Sequence, residues 1–573
     1  MAARGGPEEE GYLTLAGLEP ASLLHITPAA PVPPPSRRNV MVDYARLFSL
    51  RRTPQSEPIP GTVANSAGGH AFPVDDWIRF DRFLVLGAEG SSYYAGERAL
   101  TRDNAAAALR CLAADGARAV ARIVAISESG RAPKNEPALF ALALAMAAGD
   151  EATRATAGAA LPRVARTGTH LFRFAEAVQG QRGWGRGLRR AVARWYLAQP
   201  VDALAYQAVK YRQREGWSHR DLLRLAHPLT DEPARRALFD WACRGTVGAA
   251  APGLVGAAEA LARAGDPVDA AALIRAHGLP REAVPTALLN EPAVWLALLE
   301  RMPLGALVRS LAKLTAIGVL PPPGAPAGPA AERVLAALGD AERIARARLH
   351  PLSLLVALRT YAAGQGDKGR LRWTPVPAVV DALEAAFYTA FRAVEPTGRR
   401  LLLALDVSGS MSWGQVAGAP LTPREASAAL ALVTASTERQ CHILGFTAAG
   451  VGDGGLSPLR LAPGMRLEQA VRAVSGLPFG GTDCALPMLH ALERGLAVDA
   501  FVVLTDSETW AGAVHPVEAL RQYRERTGIA AKLVVVGMVA NRFSIADPED
   551  AGMLDVVGFD SAAPALIADF IRQ

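Results

Sequence analysis

Cysteine is scarce in this sequence. Cys111, Cys243, Cys441 and Cys484 are the only four in 573 residues, far apart and without C-x-x-C or zinc-like spacing. That argues against a disulfide-built scaffold and a thiolate zinc site, and suits reduced thiols in the cytosol. Long hydrophobic runs are missing too. The nearest, "TVGAAAPGLVGAAEALA" from residue 246, is rich in small residues and carries Pro252 and Glu259, so it reads as a soluble helix. The opening "MAARGGPEEEGYLTL" lacks the basic-then-apolar order of a signal sequence, so a cytoplasmic protein with no membrane contact is expected. Neither G-x-x-x-x-G-K-[ST] nor G-x-S-x-G occurs, which removes two large groups of enzymes.

The composition is that of a globular chain, with 50% hydrophobic and 20% charged residues. Its length calls for two or three domains. Residues 1–62 are proline-dense and poorly periodic, as in "TPAAPVPPPSRR", and predict a flexible arm. Residues 63–397 predict a helical domain. Segments such as "EPALFALALAMAAGD", "LRRAVARWYLAQ" and "EPARRALFDWACRG" repeat apolar residues at spacings of three and four and close on Gly or Pro. No fixed period links them, so a degenerate HEAT-like array of helix pairs is expected. The stretch "GVLPPPGAPAGPAAE" at 318–332 reads as an exposed loop within it. From 398 to 573 the pattern changes. "LLLALD", "CHILGF", "AFVVLTD" and "KLVVVGM" are buried parallel strands in appearance, separated by helical segments. The fold class is therefore α plus α/β, with a doubly wound sheet whose working loops lie at the carboxyl ends of its strands.

One such loop is "DVSGS". A carboxylate and two hydroxyls at alternate positions, Asp406, Ser408 and Ser410, are hard oxygen ligands that suit Mg²⁺, with Mn²⁺ as the alternative. Two later loops add Thr482, after a glycine pair, and Asp506, at the end of a strand. Alone, DVSGS would also suit a turn with helix-capping serines. With the other two loops in order on the same frame it resembles a von Willebrand factor A domain and its metal-ion-dependent adhesion site. Such a site binds a partner's carboxylate through the metal. Asp483, next to Thr482, could touch the metal through water, but such an Asp more often caps the following helix. One metal with few carboxylates and no evident general base gives no expectation of catalysis.

Charge is concentrated rather than abundant. Residues 161–225 hold thirteen Arg and Lys against Glu176, Asp202, Glu215 and Asp221, a local balance of 13 − 4 = +9 in a chain of +6. The remainder is thus 6 − 9 = −3. Trp184, Trp195, Tyr196, Tyr206, Tyr211 and Trp217 are interleaved, so the segment predicts a polyanion partner, RNA or DNA, with aromatics for stacking. Lys210 and Arg214, four apart, are expected on one helix face. "SHRD" predicts a helix start at Ser218, and His227 a helix end before Pro228.

Ordered blocks, among them "RFDRFLVLGAEGSSYY", "KNEPALFALALAM", "GWGRGLRRAVARWY", "VKYRQREGWSHRDLLRLAHP" and "GGTDCALPM", together resemble the Ro 60 kDa autoantigen family from about residue 63 onward. The Ala-, Arg- and Gly-heavy composition suggests a bacterial member. The resemblance implies a ring of HEAT-like helices, the TROVE module, closed by the A domain. It implies small noncoding Y RNA on the outer basic surface and single-stranded 3′ ends of misfolded RNA in the central hole. Lys210 and Arg214 match the family's K-Y-x-Q-R contacts, and His227 matches the His of R-L-x-H. The metal motif carries over to Asp406, Ser408, Ser410 and Thr482, and by the A-domain pattern to Asp506. A bacterial relative works with an exoribonuclease such as polynucleotide phosphorylase, so a monomeric, non-catalytic RNA-binding ring is the expectation. The alternative is a metal-dependent protein-binding module with the helices as scaffold. "GAEGSSYY" departs from the commoner G-S-E-G-G-T-Y-Y.

Overall fold

The structure is a computed structural model and describes residues 53–87, 97–181, 183–214, 216–347, 349–366, 370–390, 395–416, 421–462, 465–478, 480–558 and 563–573. Residues 1–52 of the expected arm lie outside these. Its last ten residues, 53–62, do not behave as an arm: Thr53, Gln55 and Glu57 all bond to the C-terminal domain.

From Asp76–Leu86 to Pro377–Ala390 the chain is a succession of α-helices. Asp75, Asp115 and Asp150 each cap a helix start by accepting the N–H three residues on. Helix Glu136–Ala148 buries every residue from Pro137 to Met146, as its all-round apolar sequence requires. Helix Arg186–Ala198 is two-faced, burying Leu188, Ala191, Val192, Trp195 and Tyr196. Its neighbours stack in two layers. Helices Gly116–Ser129, Glu151–Val164, Arg186–Ala198 and His219–Ala226 pack in series on one side, and Glu97–Ala114, Glu136–Ala148 and Gly168–Gln181 on the other. The proline-rich loop is shorter than expected, because Pro329 opens helix Pro329–Gly339.

The C-terminal domain is a six-stranded sheet in the order β11-β9-β8-β5-β6-β7. Its strands are β5 (Leu401–Asp406), β6 (Cys441–Phe446), β7 (Leu456–Pro458), β8 (Ala500–Thr505), β9 (Lys532–Gly537) and β11 (Met553–Val557). All pair in parallel except β7. The chain leaves β5 on one side for β6 and returns to its other side as β8. The topological switch lies between β5 and β8, where an open α/β sheet forms its crevice. Both strands are buried throughout.

Both ends of the helical array dock on this domain, which closes the ring. At the start, β1 (Val63–Ala64) pairs with β2 (His70–Pro73), and β2 pairs with β10 (Phe543–Ser544). Arg82 then grips Asp555 with both carboxylate oxygens, at 2.7 and 2.6 Å. At the finish, Arg466 pairs with Asp381 and Glu384 at 2.5 and 3.3 Å, and Arg359 meets Glu425 at 3.0 Å. The four cysteines are free thiols. Among the described residues no helix is long and apolar enough to cross a membrane.

Candidate metal centre and nucleic-acid interface

The three predicted loops meet at the carboxyl edge of β5 and β8. Gly409 N–H bonds Gly480 O at 3.2 Å, joining the first loop to the second. Trp510 and Ala511 N–H both bond Thr482 O at 3.0 Å, joining the second to the third. Asp406, Ser408, Ser410, Thr482 and Asp506 are all buried. Asp406 accepts Ser408 N–H at 2.9 Å and the Thr505 hydroxyl at 2.6 Å; the Ser408 and Ser410 hydroxyls are 3.1 Å apart. Asp483 is not the cap of the next helix, whose N-cap is Ala485 without a side-chain cap bond; its carboxylate instead accepts Ala485 N–H at 3.0 Å and the Gln55 amide at 2.7 Å.

Two buried carboxylates share this site, with hydroxyl and backbone N–H partners but no cationic hydrogen-bond partner among the described residues. Burial first, and Asp506 second, push the Asp406 carboxyl up to about 7; burial also raises Asp506. Arg424 feels the Asp406 charge, but its hydrogen bonds go elsewhere, to Val474 O and Leu477 O at 3.1 and 2.7 Å. Ser507, held in the left-handed region at φ 61°, has a buried hydroxyl without a partner. A divalent cation would supply the missing positive charge, and two carboxylates with three hydroxyls are the oxygen set Mg²⁺ or Mn²⁺ takes. The residues present therefore fit such an ion. No group of three or more His, Cys, Asp or Glu occurs in a metal-holding arrangement among the described residues. A centre with three hydroxyls among its five side chains does not need one.

In the basic segment some of the described charges are paired with carboxylates and others line cavities. Arg163 pairs with Glu128 at 2.6 Å, Arg173 with Glu136, and Arg212 with Glu259 at 3.3 Å. Arg186, Arg190 and Arg194 instead form one row on helix Arg186–Ala198 and, with Arg154, line a cavity of about 550 Å³. Trp195 and Tyr196 are core residues, corrected from stacking platforms. Trp195 Nε1 donates to Ala165 O, and Tyr196 meets His219 at 2.8 Å. Trp184 and Trp217 contact each other at 5.7 Å between ring centres.

Lys210 ends helix Val201–Lys210, with its ammonium 5.6 and 5.3 Å from the rings of Tyr206 and Tyr211. Arg214 does not share that helix. It lies on β3 (Gln213–Arg214), paired with β4 (Trp217–Ser218) in a tight hairpin that turns through Gly216 at φ 73°. The hairpin nevertheless brings Arg214 and Lys210 to one cleft of about 370 Å³. Arg281, Arg301 and Arg309 line the same cleft. Sequence reading missed these three, because they lie in segments of mixed charge far along the chain. His227 is exposed at the end of helix His219–Ala226, in the left-handed conformation at φ 46°, and is not part of the cleft wall. The capping box at the start of that helix is present, with Ser218 N–H on Asp221 at 2.9 Å.

Known proteins resemble this chain in sequence and fold. Residues 63–247 and 277–360 match the TROVE domain family, and residues 400–571 match the Ro60 vWA domain. The chain is similar to the RNA-binding protein RO60 of Deinococcus radiodurans, 43% identical over 538 residues, 93% of this chain and 99% of the relative. It is also similar to the RNA-binding protein RO60 of Caenorhabditis elegans, 36% identical over 605 residues, 91% of this chain and 92% of the relative. The crystal structure of the Deinococcus radiodurans RO (RSR) protein superposes with a TM-score of 0.67 at 44% identity, over 87% of this chain and 99% of that one.

Proposed function

The chain belongs to the Ro60 family, and from that premise we propose that it is a non-catalytic RNA-binding ring acting in RNA quality control in the cytoplasm. A small structured RNA of the Y type is held on the basic outer surface at Lys210, Arg214 and His227. Single-stranded 3′ ends of misfolded RNA enter the ring's opening. An exoribonuclease, of the polynucleotide phosphorylase kind, takes the delivered RNA, and the ring acts as a monomer. The α/β domain holds Mg²⁺, or Mn²⁺, through Asp406, Ser408, Ser410, Thr482 and Asp506. When bound, that ion supplies positive charge and a coordination position for an incoming carboxylate.

One observation carries the RNA reading: Lys210 and Arg214, four residues apart but on different elements, line one cleft with Arg281, Arg301 and Arg309. Among the described residues only Glu282 and Glu300 oppose them there, and Glu300 is paired with Arg275 at 2.8 Å. Convergent arginines recognise phosphate through paired N–H donors, and each phosphate neutralised releases counterions. The test is binding of a structured small RNA, recovered with the full chain from its own cells, measured across salt. Replacing Lys210, Arg214 and His227 together by alanine is expected to weaken binding by about 10- to 100-fold and to flatten the salt slope. Unchanged affinity would refute the assigned surface.

A second reading is favoured by Trp413 and Trp510, which are 65% and 42% exposed on the loops that carry the metal residues. It gives the α/β domain a carboxylate-bearing protein partner. Capture of that partner would need Mg²⁺, survive ribonuclease and fail in Asp406→Ala.

A further inference from the structure

The segment Thr53–Pro73 crosses the α/β domain before the first helix begins, and its path runs over the metal loops. Gln55 is fully buried there, and its side-chain amide meets four residues. Nε2 donates to Asp483 Oδ1 at 2.7 Å and to Val514 O at 2.9 Å. Oε1 accepts from the Thr509 hydroxyl and from Gly512 N–H at 3.2 Å. Ten residues on, Asn65 Nδ2 donates to Thr509 O at 2.7 Å, and Ser66 N–H donates to the Glu508 carboxylate at 2.8 Å. Asp483 follows Thr482 directly; Glu508 and Thr509 follow Asp506 by two and three residues. Thr509 also receives Cys484 N–H at 3.1 Å, so Gln55 ties the second metal loop to the third through a shared hydroxyl. The fit leaves no slack. A Cβ at Gly512 would collide with Gln55 Nε2 and Asp483 Oδ1, and one at Gly69 with Thr509 O and Trp510 Cα.

We infer that Thr53–Pro73 is a built part of the metal centre, and that Gln55 is a positioning residue that sets the distance between the loop of Thr482 and the loop of Asp506. The inference rests on the metal reading above. Mg²⁺ demands near-ideal octahedral geometry, so loops that drift apart lose affinity even though every ligand remains. Groups behind the ligands, when removed, cost metal affinity about 10- to 100-fold. The segment leads through β2 into the first helix of the array, so the centre is assembled from chain on both sides of the helical array.

The test is Mn²⁺ titration of the full chain, read as loss of the free-ion paramagnetic resonance signal, beside the thermal midpoint of the metal-free protein. Gln55→Ala is expected to bind Mn²⁺ about 10- to 100-fold more weakly. Thr53→Ala loosens the same segment by removing its hydroxyl bond to Glu518, at 3.2 Å, on helix Pro516–Thr527 rather than on the metal loops. It is expected to lower the midpoint while keeping wild-type affinity. Should Gln55→Ala not fold, Gln55→Asn, whose amide is one carbon too short to reach, and Asn65→Ala carry the test with the same expectation. Wild-type affinity in the position-55 variants overturns the inference and leaves Gln55 as ordinary packing. Equal losses in Thr53→Ala and Gln55→Ala overturn it as well. A wild-type chain that takes up no Mn²⁺ removes the metal reading itself, and the inference with it.

Discussion

A neutral imidazole is the only form of His350 that its surroundings accept. Nε2 lies 3.0 Å from Arg131 O and must carry the proton, while Nδ1 accepts Leu352 N–H at 3.1 Å to cap helix Pro351–Ala362. A second proton on Nδ1 would face that N–H. Burial lowers the imidazole to about 4, against a smaller opposing effect of the Arg131 carbonyl. The unfolded chain takes up the proton near 6.5, so between about 6.5 and 4 it binds more protons than the fold does. The stabilisation is therefore whole above about 6.5 and is lost as pH falls toward 4. Burial lowers His170 and His219 to about 4 as well, so they add in the same direction. Buried carboxyls act in the opposite direction over that range, Asp406 and Glu508 raised to about 7 and Asp483 to about 6, so the histidine contribution is read as a difference between proteins. His350→Gln should start lower, by about 1 kcal/mol for the lost cap, and its thermal midpoint relative to wild type should rise on going from pH 7.5 to pH 5. A constant difference between the two proteins would contradict the account. At this scale the sequence disclosed side chains that chemistry places in a short motif, such as Asp406 and Ser408. It could not disclose Gln55 or Arg301, whose roles come from neighbours hundreds of residues away or on another helix. It misled at Trp195 and Tyr196, because an aromatic among arginines has the same local pattern whether it faces water or the core.

Among the elements, the hairpin of β3 and β4 and the helix His219–Ala226 work as one unit. Ser218 ends the hairpin and caps the helix: its hydroxyl meets Asp221 at 2.6 Å and its N–H meets the same carboxylate. Arg214 sits across the hairpin from Trp217, so the cap also steadies the strand that presents Arg214 to the cleft. Ser218→Ala should cost about 1 kcal/mol of stability and weaken RNA binding several-fold, less than loss of Arg214 itself. Thermal melts and binding titrations on one preparation measure both, and a loss of affinity equal to that of Arg214→Ala would show that the hairpin needs the cap to exist. The helices and four long strands were legible because three-four spacing and unbroken aliphatic runs are strong signals. The hairpin was not, since two-residue strands leave no alternation to read. β7 and β11 escaped for a related reason: each lies at a sheet edge, one only three residues long and the other interrupted by Asp555.

For the molecule as a whole, the decisive contacts are those that sequence distance hides. The array could have been an open solenoid; its closure depends on groups more than four hundred residues apart. Arg82, 1% exposed, holds Asp555 and also donates to Asn541 O at 3.0 Å and Phe543 O at 2.8 Å. One guanidinium thus pins the first helix to β11 and to the turn beside β10, the strand that pairs with β2. Removing one partner of a buried ion pair strands the other charge, at about 3–5 kcal/mol, whereas removing both costs less. Arg82→Ala should therefore lower the midpoint sharply, and Arg82→Ala with Asp555→Ala should recover part of the loss. The released end should also let the ring open, so the single variant should have a larger hydrodynamic radius by small-angle scattering and lose Mn²⁺ affinity, because the segment bearing Gln55 is tethered to the same helix. A single variant within about 1 kcal/mol of wild type and unchanged in size would mean that the strand pairing of β2 with β10 closes the ring by itself.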